Sequence, residues 1–141
     1  MNKTEFKIYL AGLFDGDGSV GVYSTNMHNA KVCLMRCSIG LRRAEETIIL
    51  MDRIKKEYKG HIHYSKDRIL RWYSGSKNAL LFLEDIKKYS ILKKEQIRLA
   101  INFQKYTTSQ GKNFNIKSHD KVYNKQITWI EKIRRLKTLW V

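Results

Sequence analysis

The sequence contains no proline and only two cysteines, Cys33 and Cys37, in 141 residues. So few cysteines exclude the disulfide framework of a small secreted domain and indicate a reducing compartment. If both cysteines lie on one strand, their Cα atoms are about 13 Å apart, which is too far for a disulfide or for one shared zinc ion. We therefore expect both thiols to pack in the interior.

Long apolar runs are also absent, because no run approaches the roughly 20 residues that a membrane-spanning helix needs. The first five residues lack the apolar core of a signal peptide. The missing proline, together with abundant Lys, Ile, Asn and Tyr, hints at an AT-rich coding genome such as that of an organelle. We expect an intracellular protein without a membrane partner, in an organelle or in the cytoplasm of a prokaryote.

Acidic residues are scarce relative to basic ones: 13 Asp and Glu stand against 28 Lys and Arg, which gives a formal net charge of +15. So large an excess repels itself unless a polyanion offsets it, and a nucleic acid is the leading candidate. A hydrophobic content of 43% allows the chain to bury a core. We expect one compact domain that spans residues 1–141.

Hydrophobic periodicity divides the chain into helices and strands. The predicted helices span residues 4–15, 44–58, 77–89, 93–105 and 120–140, and the predicted strands span residues 19–25, 31–40, 61–65 and 69–74. Residues 107–118, rich in Ser, Thr, Asn and Gly, are predicted to form a loop. This order favours an α+β fold, in which a mixed sheet carries helices on one face.

Residues 10–18, with the sequence LAGLFDGDG, carry the densest signal in the chain. Gly12 and Gly16 lie four residues apart on one helix face, and without Cβ atoms they permit another backbone to approach closely. Two such helices could meet on a two-fold axis. Asp15 and Asp17 fall at the helix C-terminus, where the macrodipole disfavours carboxylates. A divalent cation would compensate, and two copies of Asp17 with nearby main-chain carbonyls would form an oxygen-rich site suited to Mg²⁺.

Taken alone, residues 15–18 are typical of a polar turn between a helix and a strand. The five residues before them and the net charge favour an active site instead. Residues 10–18 resemble the LAGLIDADG signature of a homing endonuclease family, with Phe14 in place of an aliphatic residue and Gly16 in place of another small residue. The predicted elements through Phe103 are similar to the αββαββα core of that family and its saddle-like, mixed or antiparallel sheet, followed here by extra C-terminal helices.

The resemblance implies an intron-encoded, sequence-specific DNA endonuclease of the single-motif type. Chains of that type act as homodimers, here through Gly12, Leu13 and Gly16 of the first helix. The implied reaction is metal-dependent hydrolysis of one phosphodiester bond in each strand of a long pseudo-palindromic site in double-stranded DNA. Mg²⁺ is the implied cofactor, and Mn²⁺ is the expected substitute.

The resemblance also assigns roles to side chains. Asp17 is the implied metal ligand, with the carbonyl of Gly16 as another, and Asp15 is given a structural part. Family active sites add a basic residue after the third helix, where Lys93 is the best match and Lys94 the alternate. The competing interpretation of both lysines is an ordinary solvated helix start.

A peripheral polar pair is implied just after the second strand, where this chain has Arg42 and Arg43. The register there is open, and Glu45 or Glu46 could occupy one of the two positions. We therefore expect Arg42 and Arg43 at the edge of the active site.

One face of the sheet should pack on helices and leave the other face free to bind DNA. The best apolar alternation assigns four residues of the second strand pair to the core: Ile62, Tyr64, Leu70 and Trp72. The residues of opposite parity are then candidates for reading bases in the major groove: Tyr23, Thr25, Arg36, Ser38, His61, His63, Ser65, Arg71 and Tyr73. Basic residues in turns and loops are expected to contact phosphates: Lys66, Arg68, Lys112 and Lys117.

Two other functions fit parts of the same pattern. An intron RNA maturase of the same family would need a second basic surface, for which the C-terminal helix offers Lys125, Lys132, Arg134, Arg135 and Lys137. A catalytically silent DNA-binding relative is disfavoured because Asp17 is intact. His61 and His63 could suggest a metal pair, but an isolated pair of this kind is more often exposed to solvent. Trp129 and Trp140 are expected in packing or in a dimer surface.

Overall fold

The computed structural model describes residues 1–27, 30–110 and 116–138. The elements in chain order are α1 (Lys3–Asp17), β1 (Gly18–Met27), β2 (Ala30–Arg42), α2 (Glu45–Tyr58), β3 (His61–Tyr64), β4 (Ile69–Gly75), α3 (Ser76–Ile86), α4 (Lys94–Ser109) and α5 (Ile116–Thr138). The predicted order of elements is confirmed. Within the described residues, no helix combines the length and the hydrophobicity that a membrane crossing requires. Lys112 and Trp140 lie outside the described residues.

The predicted loop over residues 107–118 is wrong at both ends, because α4 continues to Ser109 and α5 begins at Ile116. Thr107, which the prediction placed in the loop, lies on α4 and contacts α5. Gln126 of α5 donates a hydrogen bond from Nε2 to Oγ1 of Thr107 at 2.9 Å. Because Thr and Ser are typical of loops, the sequence predicted the end of α4 too early, at residue 105.

The four strands form one antiparallel sheet in the order β1-β2-β4-β3. Side chains along β2 alternate between the core and the open face, and Cys33, Met35, Cys37 and Ile39 are all buried. The two cysteines are free and buried, as expected. The predicted α+β fold with helices on one face of the sheet is thus confirmed, and the sheet is antiparallel throughout.

The alternation predicted for β4 also holds, because Leu70 and Trp72 are buried while Arg71 is exposed. Ile62 on β3 is half-buried. Tyr64 was predicted in the core, but 48% of its surface is exposed. It is the last residue of the short edge strand, and its ring packs under the guanidinium of Arg43, whose Cζ lies 4.4 Å from the ring centroid.

Helix α5 completes the core at the edge of the sheet formed by β1. Ile130 and Ile133 are buried in the core. The indole of Trp129 stacks on Tyr106 at 5.2 Å between ring centroids. Of the two expectations for this tryptophan, packing within the chain or a place in a dimer surface, the structure shows the first. The hydroxyls of Ser24 and Tyr123 lie 2.9 Å apart and join β1 to α5.

The carboxylate of Asp15 joins the end of α1 to the segment that leads into α4. It accepts hydrogen bonds from Oγ of Ser90 and from the backbone amides of Ile91 at 2.7 Å and of Leu92 and Lys93 at 3.1 Å. Partial burial raises the pKa of the Asp15 carboxyl, but the hydrogen bonds from Ser90 and the three amides lower it more, and the net pKa is below its ordinary value. Asp15 therefore satisfies three backbone amides of the segment that leads into α4.

Replacing Asp15 by asparagine should destabilise the fold, whereas the same change at Asp17 should not. An asparagine side chain would turn one N–H₂ group toward donors that now point at a carboxylate oxygen, at a cost of about 1–3 kcal/mol. Denaturant unfolding at neutral pH measures this loss in Asp15→Asn. Asp17→Asn is the control, since Asp17 is exposed and no described residue pairs with it.

The same pair of variants defines a pH dependence. Because the pKa of Asp15 is lowered in the folded state, its stabilisation is complete above the ordinary Asp value of about 3.9 and is lost as the pH falls through the lower folded value. The difference in the free energy of unfolding between the parent and Asp15→Asn should therefore decrease only below about pH 4. Equal unfolding midpoints of the two proteins at neutral pH would show that these hydrogen bonds contribute nothing.

Candidate active site and DNA interface

Asp17 lies at the junction between α1 and β1. Gly18 caps the helix in an extended conformation and donates its N–H to the carbonyl of Phe14. A Cβ on Gly18 would lie 2.2 Å from the buried ring of Phe14, so the chain can turn this closely over the core only with glycine. The turn leaves the Asp17 side chain exposed, and no described residue forms a hydrogen bond or ion pair with its carboxylate.

The donors at this junction fit a hard cation in part. The Asp17 carboxylate and the exposed backbone of Gly16 at the last turn of α1 offer oxygen ligands, which Mg²⁺ prefers. Within residues 1–27, 30–110 and 116–138, however, no three His, Cys, Asp or Glu side chains are grouped as a complete cation site requires. One chain thus supplies a partial ligand set, and the remaining ligands must come from a second chain, from substrate or from water.

A cavity of about 320 Å³ adjoins the junction. It is lined by Asp15, Gly18, Ser19, Leu92, Lys93, Gln96 and Lys137. The ammonium of Lys93 donates a hydrogen bond to the main-chain oxygen of Asp15 at 2.6 Å. Lys94, the alternate, is the exposed first residue of α4 and lines a different groove. The geometry thus brings Lys93 to the junction and leaves Lys94 outside.

The predicted peripheral pair is farther away. Gly18 pairs with Ile39, and Arg42 lies three residues beyond Ile39 on β2, roughly 10 Å along the strand. Arg43 is held over the ring of Tyr64. The alternates Glu45 and Glu46 begin α2 and are exposed. None of the four contributes to the cavity beside Lys93.

The open face of the sheet forms a broad cleft of about 1180 Å³. Eight of the predicted base-reading residues line it: Tyr23, Thr25, Arg36, Ser38, His61, His63, Arg71 and Tyr73. The lining also includes Ser19 and Asn26, which the prediction omitted. Ser19 has the same parity on β1 as Tyr23 and Thr25, and Asn26 is the next residue after Thr25. No Asp or Glu is among the lining residues, so the described cleft is positively charged.

Side chains on this face contact one another across the strands. The guanidinium of Arg36 lies over the ring of Tyr73, with Cζ 5.2 Å from the centroid, and the imidazole of His61 lies 5.4 Å from the same ring. Arg71 crosses Gly40 of β2, where a Cβ would lie 3.3 Å from Nη1. The face therefore offers ordered donors and aromatic rings.

The turn between β3 and β4 holds the other predicted DNA contacts. Lys66 and Arg68 are exposed there. Ser65, predicted to face DNA, is half-buried, and its hydroxyl donates to the carboxylate of Asp67 and to the backbone oxygen of Ile69 at 3.1 Å. Ser65 thus stabilises the turn. The side chain of Lys117 is not among those described.

An exposed stripe runs along α1. Ile8 and Tyr9 are 49% and 44% exposed. Gly12 and Gly16 continue the stripe, and a Cβ on either would meet no atom within 4 Å, while Leu13 beside them is half-buried. No described element covers these residues. The predicted interface residues Gly12, Leu13 and Gly16 therefore lie together on one accessible surface.

The structure corrects the placement of one basic residue on α5. Lys125, Lys132 and Arg135 line a groove between α4 and α5. These three residues therefore lie on the outer surface of α5, as the maturase interpretation expected. Lys137 instead turns inward and lines the cavity beside Lys93. Its spacing from Ile130 and Ile133 continues the buried stripe of the helix, and this was the sequence signal that could have placed it.

Comparisons with solved structures show the same architecture. The homing endonuclease I-CvuI, in complex with its target in the presence of 2 mM Ca, superposes with a TM-score of 0.78 at 15% identity over 94% of this chain and 82% of that chain. I-CvuI with the I-CreI target and 2 mM Mg gives a TM-score of 0.76 at 16% identity over 92% and 80%. The archaeal intron-encoded homing endonuclease I-Vdi141I, complexed with DNA, gives 0.72 at 13% identity over 96% and 86%.

At these identities the superpositions establish the fold. None of the curated proteins compared with the chain matches its sequence. The sequence profile of the LAGLIDADG endonucleases, in contrast, matches residues 10–123, which include the second half of α1, the whole sheet and the segment that carries Lys93. The chain belongs to the LAGLIDADG endonuclease family.

Proposed function

We propose that this protein is a metal-dependent DNA endonuclease that acts as a homodimer and hydrolyses one phosphodiester bond in each strand of a long pseudo-palindromic site. The observation that carries the proposal is the carboxylate of Asp17, which pairs with no described residue and lies beside a basic cleft and at the end of an uncovered helix stripe. In a chain of net charge +15, a carboxylate that the described residues leave unpaired is available for a cation.

The homodimer follows from the surface of α1. Gly12 and Gly16 leave room for a second backbone, and Ile8 and Tyr9 add apolar surface at the same face. A two-fold axis through this stripe brings two copies of Asp17 toward each other, because Gly16 and Asp17 are adjacent at its end. The symmetric pair then supplies the oxygen ligands that one chain lacks.

The residues of the junction have separate tasks. Asp17 and the carbonyl of Gly16 would hold Mg²⁺, with Mn²⁺ as the expected substitute. When bound there, Mg²⁺ would supply neutralisation of phosphoryl charge and activation of a water. Lys93, anchored to the oxygen of Asp15, places an ammonium where negative charge develops on the phosphoryl group. Arg42 and Arg43 act at the periphery, toward the end of β2.

The cleft on the open face binds the duplex. A two-stranded ribbon of this face fits the major groove, where base pairs present distinct patterns of donors and acceptors. Arg36, Arg71 and the two histidines are placed to read bases, whereas Lys66 and Arg68 in the turn are placed to contact phosphates. I-CvuI and I-Vdi141I, which share this fold, were solved in complex with their target or with DNA, and this supports DNA as the ligand of the chain.

Asp17→Asn should abolish cleavage and preserve specific binding, because it removes a charged ligand and leaves the DNA-facing charge no less positive. The parent, incubated with a randomised duplex library and Mg²⁺, should yield cut ends that define one target by sequencing. Binding of that target is then compared in Ca²⁺, which is expected to support binding with poor cleavage. Cleavage by Asp17→Asn near the parental rate would remove Asp17 from the mechanism.

Gly12→Leu should convert the dimer into a folded monomer. Within the chain a side chain at Gly12 meets open space, so the fold tolerates it, whereas across a two-fold axis it blocks the approach of the second helix. Sedimentation should report about twice the 16.7 kDa chain mass for the parent and the chain mass itself for the variant. Lys56→Leu, on the exposed face of α2, is the matched control and should remain dimeric. A parent that is monomeric yet cuts both strands would contradict the proposal.

Arg71→Ala and Lys66→Ala should weaken DNA binding in different ways. If Arg71 reads a base, its loss costs roughly 1–3 kcal/mol at one position per half-site and relaxes the preference only there. Loss of Lys66 weakens all sequences about equally and lowers the slope of log affinity against log salt by about two across the dimer. Binding-site profiling at several salt concentrations separates the two effects. If Lys66→Ala changed the base preference and Arg71→Ala changed only the salt dependence, both assignments would be wrong.

A further inference from the structure

The cavity beside the α1–β1 junction contains a second ammonium group that the proposed mechanism does not use. Lys137, near the end of α5, lines this cavity together with Lys93. Its Nζ lies 3.2 Å from the position that a Cβ on Gly21 of β1 would take. Helix α5 thus brings a lysine of the C-terminal region to the first strand, beside the candidate active site.

This position is unfavourable for a lysine in the free protein. The side chain of Lys137 is half-buried, and no described residue accepts a hydrogen bond from its ammonium or pairs with it. Burial lowers the pKa of Lys137, and the neighbouring charge of Lys93 lowers it further. The helix nevertheless directs this residue inward, since Ile130 and Ile133 on the same stripe are anchored in the core.

The cavity has the chemistry of an anion site. The one carboxylate in its lining, that of Asp15, is already occupied by four hydrogen-bond donors. Ser19 and Gln96 add a hydroxyl and an amide to the two ammonium groups. An oxyanion would give Lys137 the partner that it lacks among the described residues. The volume of a phosphate group is small relative to the cavity of about 320 Å³.

We propose that Lys137 is a second phosphate-binding residue of the active site, which contacts the phosphodiester group at the cleaved bond alongside Lys93. The proposal rests on the proposed endonuclease function for the identity of the phosphate, although the anion site itself does not. It also gives α5 a role in the reaction, because the helix must be docked on the sheet for Lys137 to reach the cavity. The competing account is that only the aliphatic stem of Lys137 packs at the edge of β1.

The test compares Lys137→Met with Lys132→Met. Methionine keeps the length and the apolar packing of the stem and removes the charge, and Lys137→Gln provides a second variant if the first folds poorly. Lys132 is an exposed lysine on the same helix that lines the α4–α5 groove and not the cavity. Each protein is assayed for target cleavage in Mg²⁺ under single-turnover conditions, and for the rise in its melting temperature with inorganic phosphate.

We expect Lys137→Met to cut about 100-fold more slowly, as for loss of one preorganised donor at a reacting oxyanion. Its melting temperature in phosphate-free buffer should not fall, because an unfavourable buried charge is removed, and the stabilisation by phosphate should disappear. Lys132→Met should retain both properties. A variant that is merely damaged in packing would instead melt earlier and keep its response to phosphate.

The two assays keep the proposals separate. If Lys137→Met and Lys132→Met respond equally to phosphate, the assignment of Lys137 is overturned, whatever the cleavage rates. If the parent cuts no DNA while phosphate still distinguishes the two variants, the anion site stands and the endonuclease proposal fails. Cleavage by Lys137→Met at the parental rate would show that the phosphate at the cleaved bond does not contact this residue.

Discussion

The hydrogen bonds to the carboxylate of Asp15 hold together the two segments between which the candidate active site lies. They fix the end of α1 against the backbone ahead of α4, and the same contact places Lys93 with its ammonium on the Asp15 oxygen. The two acids of the motif thus differ in role because of their surroundings. Asp15 has four donors within the chain and is structural, whereas Asp17, two residues later, has none among the described residues and remains available for a ligand.

The second constraint is the segregation of charge. The acids that form ion pairs lie on the helices, as in Lys7 with Asp85, Lys105 with Glu84 and Arg98 with Glu95. These exposed pairs contribute little stability individually, but they place acids beside bases on the helices. The lining of the open sheet face includes Arg36 and Arg71 and no acid, so the positive charge of this face, where the duplex is proposed to bind, is not offset within its lining. A field arranged in this way raises the rate of association with a polyanion.

The sequence predicted the features that follow from period and spacing. The period of two along β4 assigned Leu70 and Trp72 to the core and Arg71 to the open face. The motif located Asp17, and the family resemblance assigned Lys93 to the active site, where the structure brings it beside the same junction. Predictions failed where the surroundings of a residue decide its exposure. Tyr64 has the parity of a core residue but ends an edge strand, and Lys137 has the charge of a surface residue but follows the buried stripe of α5. Periodicity shows which residues share a face, and it does not show what lies opposite that face.

In the proposed dimer, charge also links assembly to ligand binding. Two chains of net charge +15 repel each other, but the stripe from Ile8 to Gly16 carries no basic side chain, so the repelling charges lie away from the contact. At physiological ionic strength, charges separated by more than about 8 Å are largely screened, whereas the two Asp17 carboxylates approach each other at the axis. Their mutual repulsion would oppose close approach of the helices in such a dimer, and a divalent cation held by Asp17 would offset it. Cation binding and dimerisation would therefore favour each other, since each would lower the electrostatic cost of the other, and DNA would add to both by offsetting the positive charge of the two clefts.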